Sequence, residues 1–432
     1  MLTRRGFLSS AVAAAAQTPH KRPNLLFLVA DEWRGQALPS AGNPDLRTPH
    51  LSRLASQGID FRRAYTSYAV CCPSRAAMLT GKFPHAAGVP HNHMQLPLGE
   101  KTVSAELKRA GYRTGYVGKW HLDGSANPGF VPADRRRGFD YWAAYNVQHK
   151  QYGSVYFRDT AEPVPIPGFE PDSLTNLAID FLRQESKEPF FLYLSWVAPH
   201  PPLTPPARNA TYDPGRIHLP PNVPASSEAE TRKQLAAYYG LCEAIDGNVG
   251  RLLAELDARG LTEDTIVVFT SDHGGTFGSH GVDEIDLPLE EASRIPLLIR
   301  YPRRIKPRVE RTGLISNVDF APTWLGLCGL PQMPGTQGAN LAGWLTGQDR
   351  TRDLAIFSEG RIGARDEWRM VVRGWEKLVV DSHLKPTQLF DLRQDPYEMN
   401  NRVSDRAFGH RREALLVELR RAMERNHDRL SA

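Results

Sequence analysis

Asn24-Leu25-Leu26-Phe27-Leu28-Val29-Ala30, followed directly by Asp31-Glu32, is the stretch that decides the fold. After Asn24 the run is apolar throughout, with no alternation of polar and apolar positions. A strand with one face in water alternates; a run without alternation reads as a strand covered on both faces, as in a parallel sheet flanked by helices. The two acids stand at its C-terminal end, the edge where open α/β sheets collect their chemistry.

The pattern recurs outward from there. Residues 114–117 read as a strand leading into Gly118-Lys119-Trp120-His121. Residues 190–195 lead to Pro199-His200-Pro201-Pro202, residues 265–270 deliver Ser271-Asp272-His273-Gly274, and 296–301 is a further strand. Helical apolar spacing predicts helices over 51–57, after Pro73, over 103–110 and over about 226–260. Strands alternating with helices predict an α/β fold with a doubly wound sheet. The composition changes after Gly347. Short strands at 368–372 and 377–380 and a charged helix from about Arg406 predict a small C-terminal α+β domain. The expected division is a catalytic domain over 22–347 and the smaller one over 348–432.

Residues 1–17 are expected to be a leader. Thr3-Arg4-Arg5-Gly6-Phe7-Leu8 precedes an Ala-rich apolar stretch to Ala16, the form of a twin-arginine export signal. That implies the twin-arginine translocase as a partner and a periplasmic or extracellular location. No later run is long enough to span a bilayer.

With 432 residues, 41% hydrophobic and 23% charged, the chain can bury a large core and is not disordered. A net charge of +5 without a basic block interleaved with aromatics gives no support for nucleic-acid binding. The cysteines Cys71, Cys72, Cys242 and Cys328 are too few for a disulfide scaffold, and the last two sit in apolar helical patterns as expected buried thiols.

Four segments carry chemistry. Cys71-Cys72-Pro73-Ser74-Arg75 continues Ala76-Ala77-Met78-Leu79-Thr80-Gly81. Asp31-Glu32 and Asp272-His273 each follow a buried strand and suit a hard cation. Gly111-Tyr112-Arg113-Thr114-Gly115-Tyr116-Val117-Gly118-Lys119-Trp120-His121-Leu122 places a cation and an imidazole at a strand end, where an imidazole near pKa ~6.5 suits base work. Ala198-Pro199-His200-Pro201-Pro202 places a third group on the next such loop.

Together these segments resemble the type I, formylglycine-dependent sulfatase family of the alkaline-phosphatase-like superfamily, over nearly the whole mature chain. The first matches that family's C-x-P-S-R-x-x-x-L-T-G block at every defined position, and Leu389-Phe390-Asp391-Leu392-Arg393-Gln394-Asp395-Pro396-Tyr397-Glu398-Met399-Asn400-Asn401 resembles its closing block. The resemblance implies a mixed sheet and a set of roles. Cys71 is oxidised to formylglycine (3-oxoalanine) by a formylglycine-generating enzyme, which reads Pro73 and Ser74. One hydroxyl of the aldehyde hydrate attacks sulfur and expels the alcohol; the other loses its proton as the aldehyde reforms and sulfate leaves. Asp31, Glu32, Asp272, His273 and the Cys71 oxygen bind one divalent metal, with Ca2+ expected. Arg75 holds the formylglycine and the ligand carboxylates. Lys119 binds sulfate, His121 is the base for its release, and His200 protonates the leaving alcohol.

Two departures stand out. Many relatives carry Asp where this chain has Glu32, whose longer arm can act directly or through a ligand. A sulfate-binding lysine is expected where Ile285 stands; His280 and Arg294 are the nearby replacements, although Arg294 can instead pair with Glu290 or Glu291. Substrate selection falls to residues 135–142 and 146–156, which include His149 and Lys150, or that region is a solvated loop packing its own aromatics. The implied reaction is hydrolysis of an organic sulfate ester, a carbohydrate sulfate first and an aryl sulfate second. The alternatives are a phosphonate monoester or phosphodiester hydrolase, and a degenerate relative that only binds sulfated glycans.

Overall fold

The structure, a computed structural model, describes residues 22–349 and 355–430. The twin-arginine leader lies outside the described residues. The main sheet contains β1 (Asn24–Asp31), β2 (Ile59–Tyr65), β3 (Arg113–Lys119), β4 (Tyr141–Tyr145), β5 (Phe190–Pro199), β6 (Thr265–Ser271), β7 (Arg294–Arg300), β8 (Arg308–Glu310) and β9 (Ile315–Ser316). Their order is β8-β2-β7-β6-β1-β5-β3-β4, with β9 also on β2. Strand β7 runs antiparallel to β2 and β6, and the remaining pairs are parallel.

Strand β1 sits in the middle with every residue buried, as its unbroken apolar run requires. Leu25, Phe27 and Val29 enter one core layer together with Phe320 and Trp324 of the helix Phe320–Leu327. Leu26, Leu28 and Ala30 enter the other, packed on the long helix Glu228–Ala258. The sheet is therefore covered on both faces, a doubly wound mixed α/β architecture.

Strand β2 escapes a sequence reading because Ile59-Asp60-Phe61-Arg62-Arg63-Ala64-Tyr65 carries three charges. The structure neutralises them locally. Arg62 pairs with Asp60 at 3.1 Å, Arg63 stacks 4.2 Å from the Trp375 ring centre, and the register against β7 shifts between Phe61 and Ala64. The helix expected after Pro73 begins earlier, spanning Cys71–Thr80. Pro73 lies in its first turn, where a backbone N–H has no helical partner to lose.

The C-terminal unit is a four-stranded antiparallel sheet, Ile356–Gly360, Trp368–Arg373, Glu376–Asp381 and Pro386–Asp391, with the helix Gly409–Asn426 packed on it. It docks on the approach to the Cys71 helix: the Glu359 N–H donates to Ser67 O at 2.9 Å and Ser358 Oγ to Thr66 O at 2.9 Å. Its Glu398 accepts the Glu290 N–H at 2.7 Å. All four cysteines are buried free thiols. Among the described residues no helix is long and apolar enough to cross a membrane.

Candidate active site

Parallel strands β1, β3, β5 and β6 end at one edge, and four sequence segments meet there. Asp31 closes β1, Lys119 closes β3, His200 follows β5, and Asp272-His273 follow β6. The meeting depends on close approach of the strands. Gly118 has φ +99°, and a Cβ there would lie 1.9 Å from Ser195 O. Only glycine lets β3 reach β5 in this form.

Above that edge the buried helix Cys71–Thr80 points its N-terminus at the strand ends, so Cys71 stands at the positive end of the helix dipole. Cys71 Sγ lies 3.1 Å from His273 Nε2, 3.5 Å from Asp31 Oδ1 and 3.6 Å from Lys119 Nζ. Burial pushes the thiol well above its ordinary range, and Asp31 adds to the shift, so the unmodified sulfur stays protonated. An unmodified Cys71 is thus a poor nucleophile here.

Arg75, one turn along, binds both acidic strand ends. Its Nε donates to Asp272 Oδ2 at 2.9 Å and its Nη2 to Asp31 Oδ2 at 3.1 Å, while Nη1 reaches Ser195 Oγ at 2.7 Å and Lys119 O at 2.9 Å. Ser74 Oγ donates to Asp272 O at 2.5 Å, so this serine has a structural contact in addition to any role in maturation. Lys119 Nζ lies 2.5 Å from Asp31 Oδ2. Burial opposes charge on Asp31, yet Lys119, His200, Arg75 and His273 hold its carboxyl well below the carboxylate range. Burial likewise opposes charge on Lys119, and Asp31 outweighs it, so the amine stays protonated.

Asp31, Cys71, Asp272 and His273 each offer one ligand atom within 4.8 Å of the others. His273 Nδ1 donates to Gly274 O at 2.7 Å, which leaves the Nε2 lone pair facing the group. Two carboxylates and an oriented imidazole fit a divalent cation, with the Cys71 position supplying the fourth contact. Glu32 stands outside this set. Its carboxylate lies 3.6 Å from His200 Nε2, and burial pushes it up to about 8. Its backbone takes φ +64°, and its N–H donates to Asp272 Oδ1 at 3.2 Å.

The histidines form two pairs. His149 stacks on His200 with ring centres 4.1 Å apart and lies 3.1 Å from Lys119 Nζ. This puts the 146–156 region at the site. Burial and Lys119 lower His149 to about 3, and burial lowers His200 to about 4 despite Asp31. His121 Nε2 lies 3.1 Å from His93 Nδ1. His93, in Pro90-His91-Asn92-His93, was not singled out by the sequence; two nearby histidines on an unpatterned loop give no spacing signal.

His280 and Arg294, named for the Ile285 position, have these partners. His280 Nε2 is 3.0 Å from Asn222 Nδ2 and 3.8 Å from Glu291 Oε2. Arg294 Nε faces Glu290 Oε2 at 3.5 Å, and its Nη1 donates to Arg62 O. Both are committed to the joint with the C-terminal unit, where Lys377 also pairs with Glu290 and Glu398. Ile285 is half-buried, and the following Asp286 N–H donates to Ala69 O at 2.9 Å, beside the entry to the Cys71 helix.

A potential nucleophile position beside a cation-fitting group, at the C-terminal edge of a doubly covered mixed sheet, defines a hydrolase of the alkaline-phosphatase-like class. Comparison with known proteins narrows this. The family model described as Sulfatase matches residues 23–330, and that described as N-sulphoglucosamine sulphohydrolase, C-terminal, matches 278–426. An ulvan-active sulfatase of Formosa agariphila is 34% identical over 88% of this chain and 77% of its own length. An N-acetylglucosamine-6-O-sulfatase of Bacteroides thetaiotaomicron is 28% identical over 88% of this chain and 82% of its own. A structure solved with its substrate D-glucosamine-2-N,6-O-disulfate superposes with a TM-score of 0.83 at 27% identity, covering 94% of this chain and 99% of that one. The chain belongs to the sulfatase family and is a sulfuric ester hydrolase.

Proposed function

We propose that this enzyme hydrolyses a sulfate ester of a carbohydrate, using Cys71 after its oxidation to formylglycine. The observation that carries the reading is the surroundings of Cys71 Sγ: His273, Asp31 and Lys119 all lie within 3.6 Å. A thiol offers a single nucleophilic atom and no release step, whereas a hydrated aldehyde at that position offers two hydroxyls, one for attack and one for release. The carbohydrate class is supported by the relatives named above, which act on ulvan and on sulfated glucosamine.

Asp31, Asp272 and His273 would hold a divalent cation, with Ca2+ preferred for the carboxylate oxygens and Glu32 supporting the set from beside His200. Bound there, the cation would lower the pKa of the attacking hydroxyl and offset charge on sulfate oxygens. Arg75 fixes the two carboxylates. Lys119 holds the sulfate and the Cys71-derived oxygen. His200, with Nδ1 committed to Pro201 O at 2.6 Å, gives the leaving alcohol its Nε2 proton from the imidazolium form, which the neighbouring Asp31 favours against burial. His149 stacks behind it and lines the sugar side. His121 accepts the proton when sulfate leaves. Maturation by a formylglycine-generating enzyme and export through the twin-arginine translocase, which carries folded proteins, complete the reading.

The test has two arms. Mass spectrometry of the peptide containing Cys71, from a host that matures other sulfatases, is expected to find formylglycine; an unmodified thiol sinks the mechanism. Sulfate release from sulfated saccharides is expected to exceed turnover of a phosphonate monoester or phosphodiester; the reverse order moves the protein to the alternative reaction.

A further inference from the structure

His121 and His93 form an imidazole pair that the roles above leave half used. Their nitrogens Nε2 and Nδ1 are 3.1 Å apart and the ring centres 4.9 Å apart, tilted by 46°. Both residues hold left-handed backbone, His121 at φ 56° and His93 at φ 61°. Non-glycine residues adopt that region uncommonly, and such strain persists where the surroundings impose it. The surroundings here are backbone hydrogen bonds, one from His121 to the residue after β4 and two between the histidine loops. The His121 N–H donates to Asn146 O at 2.7 Å, the Leu96 N–H to Leu122 O at 3.0 Å, and the Gly124 N–H to Met94 O at 3.3 Å.

The two rings differ in what surrounds them. His121 is 1% exposed, within electrostatic reach of Lys119, Arg75 and Asp31. Its Nδ1 is buried with no hydrogen-bond partner among the described residues. His93 is solvent-exposed. The arrangement therefore runs from an unpartnered nitrogen in the interior, through one hydrogen bond, to a ring in contact with water.

We propose that His93 is the proton-accepting and positioning partner of His121 in the sulfate-releasing half of the reaction. This rests on the formylglycine reading given above. With Nε2–H donating to His93 Nδ1, His121 keeps the Nδ1 lone pair free to take a proton. In the release step the O–H bond of the remaining hydroxyl breaks and its proton passes to His121 Nδ1. The C=O bond forms, and the C–O bond to sulfate breaks with its electron pair leaving on sulfate. The Nε2 proton of His121 moves to His93 Nδ1, and a proton leaves His93 Nε2 for water. No oxidant or reductant is involved.

A partner is needed because of the charges around His121. Burial, then Lys119 and Arg75, and least of these His93, hold the ring far below the ordinary histidine value, with Asp31 opposing them. A ring so placed takes up a proton readily only if it can pass one on at the same time. His93 gives that exit and fixes the tautomer of His121, as a hydrogen-bonded partner does for a catalytic imidazole.

The test compares wild type with His93→Gln and His93→Ala on 4-nitrophenyl sulfate and on sulfated saccharides, with thermal melting to establish that each variant is folded. General acid–base contributions of this kind are worth about 100-fold or more, so loss of the partner is expected to lower kcat about ten- to a hundredfold. KM should fall or stay unchanged. Release of 4-nitrophenol should become biphasic, with a burst close to one equivalent per site and a sulfated Cys71 peptide detectable by mass spectrometry. Added imidazole should restore turnover of His93→Ala. A folded His93→Gln with unchanged kcat overturns the inference, as does a raised KM at constant kcat, which would make His93 a binding residue. A wild type that releases sulfate from none of these esters sinks the formylglycine reading first, and the inference with it.

Discussion

Arg75 bridges the two acidic strand ends, Asp31 after β1 and Asp272 after β6, through two nitrogens at 3.1 and 2.9 Å. All three residues are buried, at 1% exposure or less. Two carboxylates brought this close repel each other until a cation lies between them; Lys119 pairs with Asp31 at 2.5 Å, and the Arg75 guanidinium is the group that spans both acids.

Replacing Arg75 by alanine leaves Lys119 on Asp31 but takes the guanidinium from the buried Asp272. The expected loss is about 3–5 kcal/mol of stability, the usual consequence of removing one partner of a buried ion pair. Urea unfolding of Arg75→Ala should show a lower midpoint, and Arg75→Lys should recover only part of it because one amine cannot span both acids with paired donors. A midpoint equal to wild type would mean that Arg75 contributes no net stability.

Metal removal should act in the same place. Chelation is expected to lower the melting temperature and abolish turnover, with both restored by Ca2+. At a free Ca2+ concentration one hundred times Kd the native state gains about 2.7 kcal/mol. Asp272→Asn should remove the Ca2+-dependent part of the melting shift. A wild-type melting temperature indifferent to chelator and Ca2+ alike would exclude a tightly held cation.

Ile285 stands where the family resemblance implies a sulfate-binding lysine. Ile285→Lys should add a charge-assisted hydrogen bond worth about 1.5–3 kcal/mol, which lowers KM for a small sulfate ester about tenfold or more. A KM that rises or does not move would show that this side chain does not face the sulfate, and that the pocket binds through Lys119 and the cation alone.

His85 joins the catalytic domain to the C-terminal sheet. Its Nδ1 lies 2.6 Å from Glu359 Oε2, and Nε2 lies 3.0 Å from Asn426 O. Burial opposes the charged ring, but Glu359 more than offsets it and raises the histidine above its ordinary value. The charged pair therefore stabilises the native state fully below the unfolded value of about 6.5 and is lost as pH rises through the higher folded value. Across that window the melting temperature of wild type should fall more steeply than that of His85→Gln. Parallel curves would show that the ring is not charged in the native state.

Much of the site is legible in the sequence because its groups sit on local, one-dimensional features. Buried strands announce themselves as unbroken apolar runs, and chemistry follows at their ends: Asp31, Lys119, His200 and Asp272-His273. The contiguous block from Cys71 to Gly81 marks the proposed nucleophile and Arg75 together. Strand β2 is hidden in the sequence because its charges break the apolar run, with Arg62 paired to Asp60 inside the strand and Arg63 stacked on Trp375, distant in sequence, and the antiparallel sense of β7 has no signature in a run of apolar residues.

What the amino-acid order determined by itself is the covered sheet, the edge at which the chemistry collects, and the residue types delivered to it. Those depend on burial and spacing along the chain. Only the tertiary structure decided which groups meet: Glu32 with His200 beyond the four ligand atoms, His149 stacked on His200, His280 and Arg294 drawn away to the domain joint, and His93 placed against His121. These are contacts between loops from separate strands. Their partners are chosen by the direction in which each strand delivers its loop and by left-handed turns at Glu32, His93 and His121, and no local pattern encodes either.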